Sequence, residues 1–532
     1  MSPRSRRQHE KAAPGRNAGK PGARRDSRAV ADYWRALGAA ERGTPRVVPP
    51  ADAEIALVYP NTYAVGMSSL GFQMVYRWIN AHPAALAERF FCEGRPARSI
   101  ENQRPLEAFD FVAFGIAYEL DYLEAVRFLL DHGICPIAAE RDPMAEPLIL
   151  AGGICLAVNR LPIYDLADLL VLGDGEGPLP RLLDAWAAAG RNRARFLEAA
   201  AGIEGVEVTE GARRRFRLAP VPVDPLRPEP VAPHVAMPFD TADACSVIVT
   251  PGAELADRFL VEIARGCPYR CRFCFIGHAA CHRVRPFEAI REMIDRGRPL
   301  TWRFGLVAGA VGRHPDIDRL CAWCLGEGLD VSFSSLRVED VTPAMLDLLA
   351  ASGQQSVTIA PEAGSERLRR RLGKGLTDAQ VIDFAAAAVW RGLTDLRLYF
   401  MVGLPGEEPD DVEAIARLAE AVRKAAVAAR PEGRGRVSLA VNASIFIPKP
   451  GTPFARVETP SAGEIGRRLK RLAAAIGRLD GVAFRMPSQS LAAIQRYLSW
   501  ADRRALAVLI EAARSGAAWR EVLTREAKSL GT

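Results

Sequence analysis

The sequence has no run of about 20 apolar residues, and this absence excludes a membrane-spanning helix. No apolar segment follows the first residues, Met1 to Arg7, so they do not form a secretory signal. The ten cysteines are unevenly spread and three lie close together, which is typical of metal chemistry rather than of a disulfide framework. No cysteine follows Cys324, so a cysteine-rich C-terminal cluster domain is excluded. Together these features predict a soluble protein of a reducing cytoplasm.

The excess of basic residues is confined to the beginning of the chain. The formal net charge is +7. Residues 1–28 hold nine Lys or Arg residues against Glu10 and Asp26, so this segment carries the whole excess. Its richness in Pro, Gly and Ser is typical of disorder. We therefore expect residues 1–50 to form a basic disordered tail, and the balanced charge of the rest argues against a nucleic-acid partner.

Residues 51–200 alternate between apolar runs and helical stretches. This alternation predicts a parallel, doubly wound sheet of the Rossmann type, with its binding crevice at the carboxyl ends of the strands. The predicted strands are 55–59, 111–116, 147–152 and 169–172, and the predicted helices are 63–80, 122–130 and 177–188. Seven prolines from Pro220 to Pro238 then predict an extended connector within residues 201–245.

One short stretch carries most of the chemical information: Gly266-Cys267-Pro268-Tyr269-Arg270-Cys271-Arg272-Phe273-Cys274-Phe275. Thiols spaced C-x3-C-x2-C reach three corners of an iron-sulfur cube from one loop and leave the fourth iron open. The apolar run 258–263 predicts a strand before the loop, which places the thiols at the catalytic edge of a β/α barrel. A zinc site completed by His278 or His282 and plain buried thiols are the alternatives.

Further strand patterns follow this loop, and most of them end in polar or glycine-rich turns. They cover residues 302–308, 330–333, 356–360, 395–402 and 441–447. Residues 246–460 therefore predict a partial, splayed (β/α)6 barrel. The last three strand ends read Ala-Pro-Glu-Ala-Gly-Ser-Glu-Arg, Gly-Leu-Pro-Gly-Glu and Phe-Ile-Pro-Lys-Pro-Gly-Thr-Pro-Phe. Residues 461–532 have helical patterns and predict a helical cap.

The cysteine loop and the ordered strand-end motifs resemble the radical S-adenosylmethionine (SAM) superfamily. The resemblance implies an enzyme in which Cys267, Cys271 and Cys274 hold a [4Fe-4S] cluster. It also implies that SAM chelates the open iron and is cleaved by one electron to a 5′-deoxyadenosyl radical, which takes a hydrogen atom from the substrate. An external reductant such as flavodoxin or ferredoxin is implied as well. No motif specifies the substrate, small or macromolecular.

The resemblance further implies SAM-binding positions at the strand ends. Ala308 and Gly309 occupy the turn that binds the methionine amino group in the superfamily, although the usual Gly-Gly-Glu is here Ala-Gly-Ala. Ser335 and Arg337 suit the SAM carboxylate. An ion pair between Arg337 and Glu339 is the alternative for that arginine.

Two more side chains complete the predicted SAM site. Glu362 is placed to accept hydrogen bonds from the ribose hydroxyls, a role that carboxylates take in many nucleotide sites. Phe273, directly before the third cysteine, is expected to pack on the adenine or to shield the cluster from water. Ordinary core packing is the alternative for Phe273.

Residues 51–200 resemble the cobalamin-binding domain that precedes many radical SAM barrels. The motif Asp-x-His-x-x-Gly of that domain is absent, and the segment from Pro60 to Gly71 has no histidine. Cobalamin bound through a protein imidazole is therefore not expected. Cobalamin without a protein ligand stays open, and so does a vestigial domain that shapes the substrate site. Two alternative functions follow: cobalamin-assisted methylation with SAM as methyl donor, and a non-catalytic iron-sulfur or zinc module that carries electrons.

The remaining cysteines and two C-terminal arginines carry weaker signals. Cys321 and Cys324 lie on a predicted helix, 316–326, where a thiol pair is more often core than ligand. A second cluster in the first domain, as in methylthio-transferring relatives, is not favoured because the surrounding pattern differs. Substrate contact through Arg503 or Arg504 is the alternative to a capping role for the C-terminal region. The scattered cysteines of the first domain are Cys92, Cys135 and Cys155.

Overall fold

The structure, a computed structural model of the chain, describes residues 27–45, 47–93, 97–221, 224, 226, 232–433 and 435–529. Residues 1–26 of the predicted tail lie outside the described residues. So do four prolines of the predicted connector: Pro222, Pro225, Pro228 and Pro230. Across the described ranges, no helix has the length and apolarity that crossing a membrane requires.

The first part of the chain forms a six-stranded sheet with helices on both faces. Its strands are β1 (Ala53–Tyr59), β2 (Ala85–Phe91), β3 (Phe111–Gly115), β4 (Leu148–Gly152), β5 (Leu169–Val171) and β6 (Val206–Val208). The helices are α1 (Ser27–Ala39), α2 (Tyr63–Gly66), α3 (Leu70–Ala81), α4 (Asp121–Asp131), α5 (Ile154–Asn159), α6 (Pro178–Ala188), α7 (Arg193–Ala200) and α8 (Glu210–Arg215). The strand order is β2-β1-β3-β4-β5-β6, parallel except for the last pair. This topology confirms the predicted doubly wound fold.

Local chemistry explains where these elements begin. Every residue of β1 is buried, because helices cover both faces of the sheet. The predicted helix 63–80 is interrupted after Gly66, and α3 begins where the Ser69 hydroxyl accepts a hydrogen bond from the Phe72 N–H.

The second part of the chain forms an open barrel. Its strands are β7 (Phe259–Glu262), β8 (Ala264–Arg265), β9 (Arg283–Val284), β10 (Arg303–Val307), β11 (Asp330–Phe333), β12 (Ser356–Glu362), β13 (Asp395–Val402), β14 (Ser438–Ile445) and β15 (Val482–Arg485). The helices are α9 (Ile276–Ala279), α10 (Phe287–Gly297), α11 (Ile317–Gly326), α12 (Pro343–Ala351), α13 (Glu366–Arg371), α14 (Asp378–Trp390), α15 (Pro409–Ala428), α16 (Ala462–Ile476), α17 (Gln489–Trp500), α18 (Ala505–Arg514) and α19 (Trp519–Ser529).

The barrel is split into two parallel half-sheets. One has the order β11-β10-β7 and the other the order β12-β13-β14-β15. The six predicted strands are all present and splayed, as expected for a partial barrel. The seventh, β15, extends the second half-sheet and was not predicted, because its segment was interpreted as helical throughout.

The C-terminal region is helical, as predicted, but its last three helices pack on the first domain. Leu498, Leu509 and Leu523 share one apolar core with Tyr122 and Leu129 of α4. These helices therefore complete the first domain rather than forming a cap above the barrel.

Helix α1 departs from the prediction of a disordered tail over residues 1–50. Its Trp34 is fully buried and its Val30 is buried beside it. The ring of Trp34 stacks on Phe91 at the end of β2, with 6.1 Å between ring centroids. An apolar face on α1 thus orders a segment that composition alone assigned to the tail.

Candidate functional site

The cluster loop, defined here as residues 266–275, follows β7 at its carboxyl end. A two-stranded ribbon of β8 and β9 brackets the loop, with Arg265 paired to Arg283 in register. Gly266 opens the loop with a φ of +74°, a left-handed conformation that glycine adopts without strain. Helix α9 begins two residues after Cys274. All three thiols therefore lie in one loop, between β8 and α9.

The environment of the three thiols is partly apolar. Cys271 is buried, and Cys267 and Cys274 are half-buried. Burial raises the pKa of the Cys267 and Cys274 thiols, and the neighbouring thiols add to this effect. His278, considered above as a zinc ligand, instead has its Nε2 atom 3.1 Å from the carbonyl oxygen of Cys271.

The donors around the loop suit one kind of metal group and not another. Nowhere among the described residues do three His, Cys, Asp or Glu side chains surround a single ion position. A cubane with three cysteine ligands does not require such a group, because each thiolate binds a different iron and the fourth iron stays open. Three thiols spread along one loop therefore fit a cubane.

The turn after β10 lies against the cluster loop. A Cβ atom on Gly309 would come 2.7 Å from the carbonyl oxygen of the residue before Cys267 and 3.3 Å from the Cβ of Cys267. Only glycine permits so close an approach. The Ser334 hydroxyl fixes this turn by accepting from the Ala308 N–H and donating to its carbonyl, both at 3.1 Å. The side chain that supports this turn is thus Ser334. Its neighbour Ser335 is the residue predicted to bind the SAM carboxylate.

Arg337 lies over the cluster loop. Its Nη1 atom is 3.4 Å from Sγ of Cys271, and its guanidinium carbon is 3.7 Å from the ring centre of Tyr269. Its Nη2 atom donates to Glu339 at 2.9 Å, so the ion pair considered as an alternative is present. The Nε atom of Arg337 is buried with no hydrogen-bond partner in the described part of the chain. A buried, unused donor beside the cysteines fits a bound carboxylate.

Glu362 ends β12 in an unusual conformation. Its φ of +72° is rare for residues other than glycine, and strain of this kind clusters at functional sites. Its carboxylate lies 3.3 Å from Nζ of Lys374, which also donates to the carbonyl of Ala360. Burial raises the pKa of Glu362, and Lys374 partly offsets this effect. The carboxylate is close enough to Cys274 to raise the pKa of that thiol.

The cluster loop is fixed to the second half-barrel. The Arg272 N–H donates to the carbonyl of Leu372 at 2.9 Å, and the Arg272 carbonyl accepts from the Phe454 N–H at 3.1 Å. Phe273 packs against an apolar cluster that includes Leu372 and Phe454. The core packing considered as an alternative for Phe273 is therefore observed, and it covers one side of the loop.

Three polar side chains on the concave face of the second half-barrel were missed by sequence reasoning. Tyr399, Asn442 and Arg485 are neighbours in register on β13, β14 and β15, and we call them the inner wall. Tyr399 is 43% exposed, Arg485 is also exposed, and Asn442 is only 7% exposed. The Nδ2 atom of Asn442 has no partner among the described residues. Polar-apolar alternation along β13 was the available signal for Tyr399.

Arg265, directly before the cluster loop, joins it to the first domain. Its guanidinium pairs with Asp174 at 2.8 Å and Glu176 at 2.6 Å, both on the loop after β5. It also pairs with Glu262 at the end of β7, at 2.8 Å. Arg283, opposite on the ribbon, pairs with Asp174 at 2.7 Å. The carboxyl ends of β5 and β7 are therefore held together by charge.

The other cysteines lie in ordinary surroundings. Cys321 and Cys324 are buried in α11, and burial raises the pKa of each to about 12. This placement agrees with their interpretation as core residues. The first-domain cysteines have separate neighbours: the Tyr122 hydroxyl at 3.1 Å from Cys155, the Ile137 carbonyl at 3.7 Å from Cys135 and the Glu124 carbonyl at 4.0 Å from Cys92.

The two C-terminal arginines form ion pairs. Arg503 pairs with Asp165 and, at 2.8 Å, with Glu210, both in the first domain. Arg504 pairs with Asp502 at 2.6 Å. These contacts anchor the start of α18, and they do not support a substrate contact through either arginine.

Comparison with protein families gives two matches. Residues 71–208 match the family described as "Radical SAM proteins, N-terminal". Residues 261–419 match the family described as "Radical SAM superfamily", and this range begins within β7 and includes the cluster loop. The two matches fall on the two sheet domains.

Two curated relatives are similar in sequence. An uncharacterized protein of Methanocaldococcus jannaschii is 27% identical over 75% of this chain and 78% of its own length. An uncharacterized methyltransferase of Pyrococcus horikoshii is 26% identical over 48% of this chain. The chain spans about half, 52%, of that second relative.

Two solved structures share the fold over most of the chain. The radical SAM methyltransferase TsrM from Kitasatospora setae, with cobalamin and a [4Fe-4S] cluster bound, superposes with a TM-score of 0.55 at 13% identity, over 90% of this chain and 99% of that chain. The cobalamin-dependent SAM radical enzyme OxsB superposes with a TM-score of 0.51 at 13% identity, over 89% of this chain and 72% of that chain. At this identity the likeness concerns the fold.

Proposed function

Because this chain belongs to the radical SAM superfamily, we propose that Cys267, Cys271 and Cys274 hold a [4Fe-4S] cluster beside a SAM-binding site in the open barrel. The bound cluster and SAM supply reductive cleavage chemistry that yields a 5′-deoxyadenosyl radical. The observation that carries the assignment of residues is the close approach of Gly309 to Cys267, since it joins two predicted parts of one site.

The side chains around the loop have complementary tasks in this proposal. Arg337 offers its unused Nε donor to the SAM carboxylate, and the turn at Ala308 and Gly309 offers backbone groups to the SAM amine. Glu362 accepts from the ribose hydroxyls, with Lys374 holding its carboxylate in place. Phe273 excludes water from one side of the loop.

The test is anaerobic reconstitution with iron and sulfide, followed by addition of SAM and a one-electron donor. Dithionite serves first, and flavodoxin or ferredoxin is the proposed biological donor class. We expect 5′-deoxyadenosine from the wild type and none from Cys271→Ala, which also loses iron. Cys281→Ala is the matched control, because Cys281 is exposed and lies outside the cluster loop. Equal iron content and product in Cys271→Ala and the wild type would contradict the proposal.

Cobalamin-assisted methylation is the second candidate. Tyr118 and Ile154 follow β3 and β4 at the carboxyl edge of the first sheet, and both are exposed there. Large apolar surfaces at a binding crevice suit the flat face of a corrin. The fold shared with TsrM and OxsB supports the same candidate.

This candidate is tested by purification in the presence of hydroxocobalamin. We expect corrin absorption to co-elute with the wild type and to decrease in Tyr118→Ala. Trp302→Ala is the control, because Trp302 is an exposed aromatic residue before β10, away from the crevice. S-adenosylhomocysteine in excess over 5′-deoxyadenosine would favour methylation. The absence of bound corrin in the wild type would contradict this candidate.

A further inference from the structure

A cavity of 330 Å³ lies between the loop after β14 and helices α17 and α19. Its lining includes two arginines, Arg456 and Arg496, and two aromatic residues, Tyr497 and Trp500. A volume of this size holds a small organic molecule. We call this cavity the C-terminal pocket.

The two arginines of the C-terminal pocket lack acidic partners among the described residues. Arg496 donates to the Thr459 hydroxyl at 2.7 Å, and burial lowers its pKa. Arg456 forms no ion pair and no hydrogen bond in the described part of the chain. The acidic groups that act on the lining are Glu526 and Asp502, whose charges add to the effect of burial in raising the pKa of Tyr497. Glu526 pairs with Arg525 at 3.5 Å and Asp502 with Arg504 at 2.6 Å. No ion pair joins either carboxylate to Arg456 or Arg496 among the described residues.

This arrangement differs from that of the chain's buried arginines. Arg160 pairs with Glu207 at 2.8 Å and Arg141 with Asp168 at 3.0 Å, so their charge is compensated within the protein. A half-buried guanidinium with only a hydroxyl partner leaves most of its donors unused. Arg456 is exposed and also lacks an acidic partner in the described part of the chain. Two uncompensated cations lining one cavity favour an oxyanion, which guanidinium groups bind through paired hydrogen bonds.

The walls of the C-terminal pocket favour a ligand that also has an apolar part. Tyr497 is buried, and the Trp500 ring is held by a hydrogen bond from its Nε1 atom to the carbonyl of Pro448 at 2.9 Å. Val457 and Ala527 are also part of the lining. Fixed aromatic and aliphatic surfaces bind an apolar body, and planar groups stack on them.

We propose that the C-terminal pocket binds a small molecule with an aromatic body and one oxyanion group. The anion lies between Arg456 and Arg496, and the ring lies against Trp500. The pocket is separate from the cluster site, although the segment that lines it also includes Phe454, which bonds to the cluster loop. Binding there does not depend on the proposed radical chemistry.

The experiment is calorimetric titration of the full chain, with its cluster reconstituted, against phenyl phosphate and benzoate. Phenol serves as the neutral probe. We expect saturable binding of at least one anion and none of phenol. Arg496→Gln should weaken that binding about tenfold, equivalent to about 1.4 kcal/mol. Arg456→Gln should weaken it too, and Arg514→Gln, an exposed arginine of α18 outside the lining, should leave it unchanged.

Three results would overturn the proposal. The first is that neither anion binds in a saturable way, and the second is that phenol binds as tightly as the anions. The third is that Arg456→Gln and Arg496→Gln both bind the anions with wild-type affinity. Far-ultraviolet circular dichroism and the melting temperature establish that each variant is folded. Arg456 is exposed, so its variant tests the pocket even if Arg496→Gln fails to fold. Since the probes need neither SAM nor a reductant, failure here is distinguishable from failure of the proposed function.

Discussion

The guanidinium of Arg265 lies 2.8 Å from the carboxylate of Asp174, and this contact joins the strand directly before the cluster loop to the first domain. Burial opposes the charge of Arg265, yet Glu262 and Glu176 raise its pKa well above the usual value. The charges around Arg265 are mostly shielded from water, so their mutual attraction is screened less than that of surface pairs. The position of the cluster loop depends on the first sheet through them.

We expect Arg265→Gln to lower the free energy of unfolding by about 3 kcal/mol, because it leaves Glu176 without its partner, whereas Asp174 and Glu262 keep Arg283 and Arg285. The measurement is the midpoint of urea unfolding followed by circular dichroism. The matched control is Arg417→Gln, whose pair with Asp410 is exposed, with an expected loss below about 1 kcal/mol. Equal shifts for the two variants would show that burial adds nothing to the Arg265 contacts.

The turn at Gly309 predicts a steric effect on cluster assembly. In Gly309→Ala the new Cβ would lie 2.7 Å from a carbonyl oxygen of the cluster loop, so the turn or the loop must shift. We expect a lower iron content per chain after reconstitution. Gly326→Ala, in α11 with no atom within 4 Å of the added carbon, should keep the wild-type iron content. Full iron loading of Gly309→Ala would contradict the role given to this turn.

We expect a substitution of Arg337 to weaken SAM binding without affecting cluster binding. Arg337→Gln removes the charge offered to the SAM carboxylate, so SAM affinity should fall about 10-fold to 100-fold, as expected for loss of a charged hydrogen bond. Iron content should stay unchanged. Equilibrium dialysis with labelled SAM measures the affinity. Arg313→Gln is the control. It also removes a guanidinium that lies over the Tyr269 ring, 6.0 Å from the ring centre, but one that has no proposed contact with SAM, so the SAM affinity should be retained. Equal affinities in both variants would argue against carboxylate binding by Arg337.

We expect the stability of the folded protein to depend on pH through the carboxyl group of Asp121. Burial raises its pKa from the usual 3.8 to about 6, although the N–H groups of Ala117 and Tyr118 oppose this. The folded state therefore holds this proton at a higher pH than the unfolded state. Its stabilising contribution is complete below about pH 4 and is lost as the pH rises through 6, by about 3 kcal/mol at pH 8.

Asp121→Asn removes that loss, because an amide oxygen still accepts from both N–H groups and carries no charge. We expect this variant to be more resistant to urea than the wild type at pH 8, with a difference that shrinks below pH 5. Asp383→Asn, an exposed aspartate on α14, should show no such trend. A pH-independent difference for Asp121→Asn would show that the carboxyl does not titrate in this range.

Strands with a regular pattern were predictable from sequence, and strands that depend on distant partners were not. The bounds of β11 and β13 agree with the prediction, because alternation or a continuous apolar run marks each of them. Strand β2 was missed because Glu88 and Arg89 lie in its middle. Both are buried there, and Arg89 pairs with Glu41 at 2.7 Å and Glu101 at 2.6 Å. A sequence pattern gives no sign of such pairing.

In the candidate site too, the parts marked by a local motif were predictable and the parts that depend on distant residues were not. The cluster loop and the turn at Gly309 follow from local motifs, since each lies directly after a strand. The support that Ser334 gives to this turn was not predicted, because a one-residue difference at a strand end reverses the direction of the side chain. Asn442 and Arg485 meet only through the register of β14 and β15, which are far apart in sequence.

The packing of α17, α18 and α19 on the first domain affects how the chain can be synthesised. Leu129 and Leu523 belong to one core, yet the ribosome joins them roughly 20–80 seconds apart at typical elongation rates. During that interval the part of the apolar face of α4 that packs on these three helices has no cover from its own chain. A nascent chain released early would expose this face and aggregate, so the last helices decide when the first domain becomes stable.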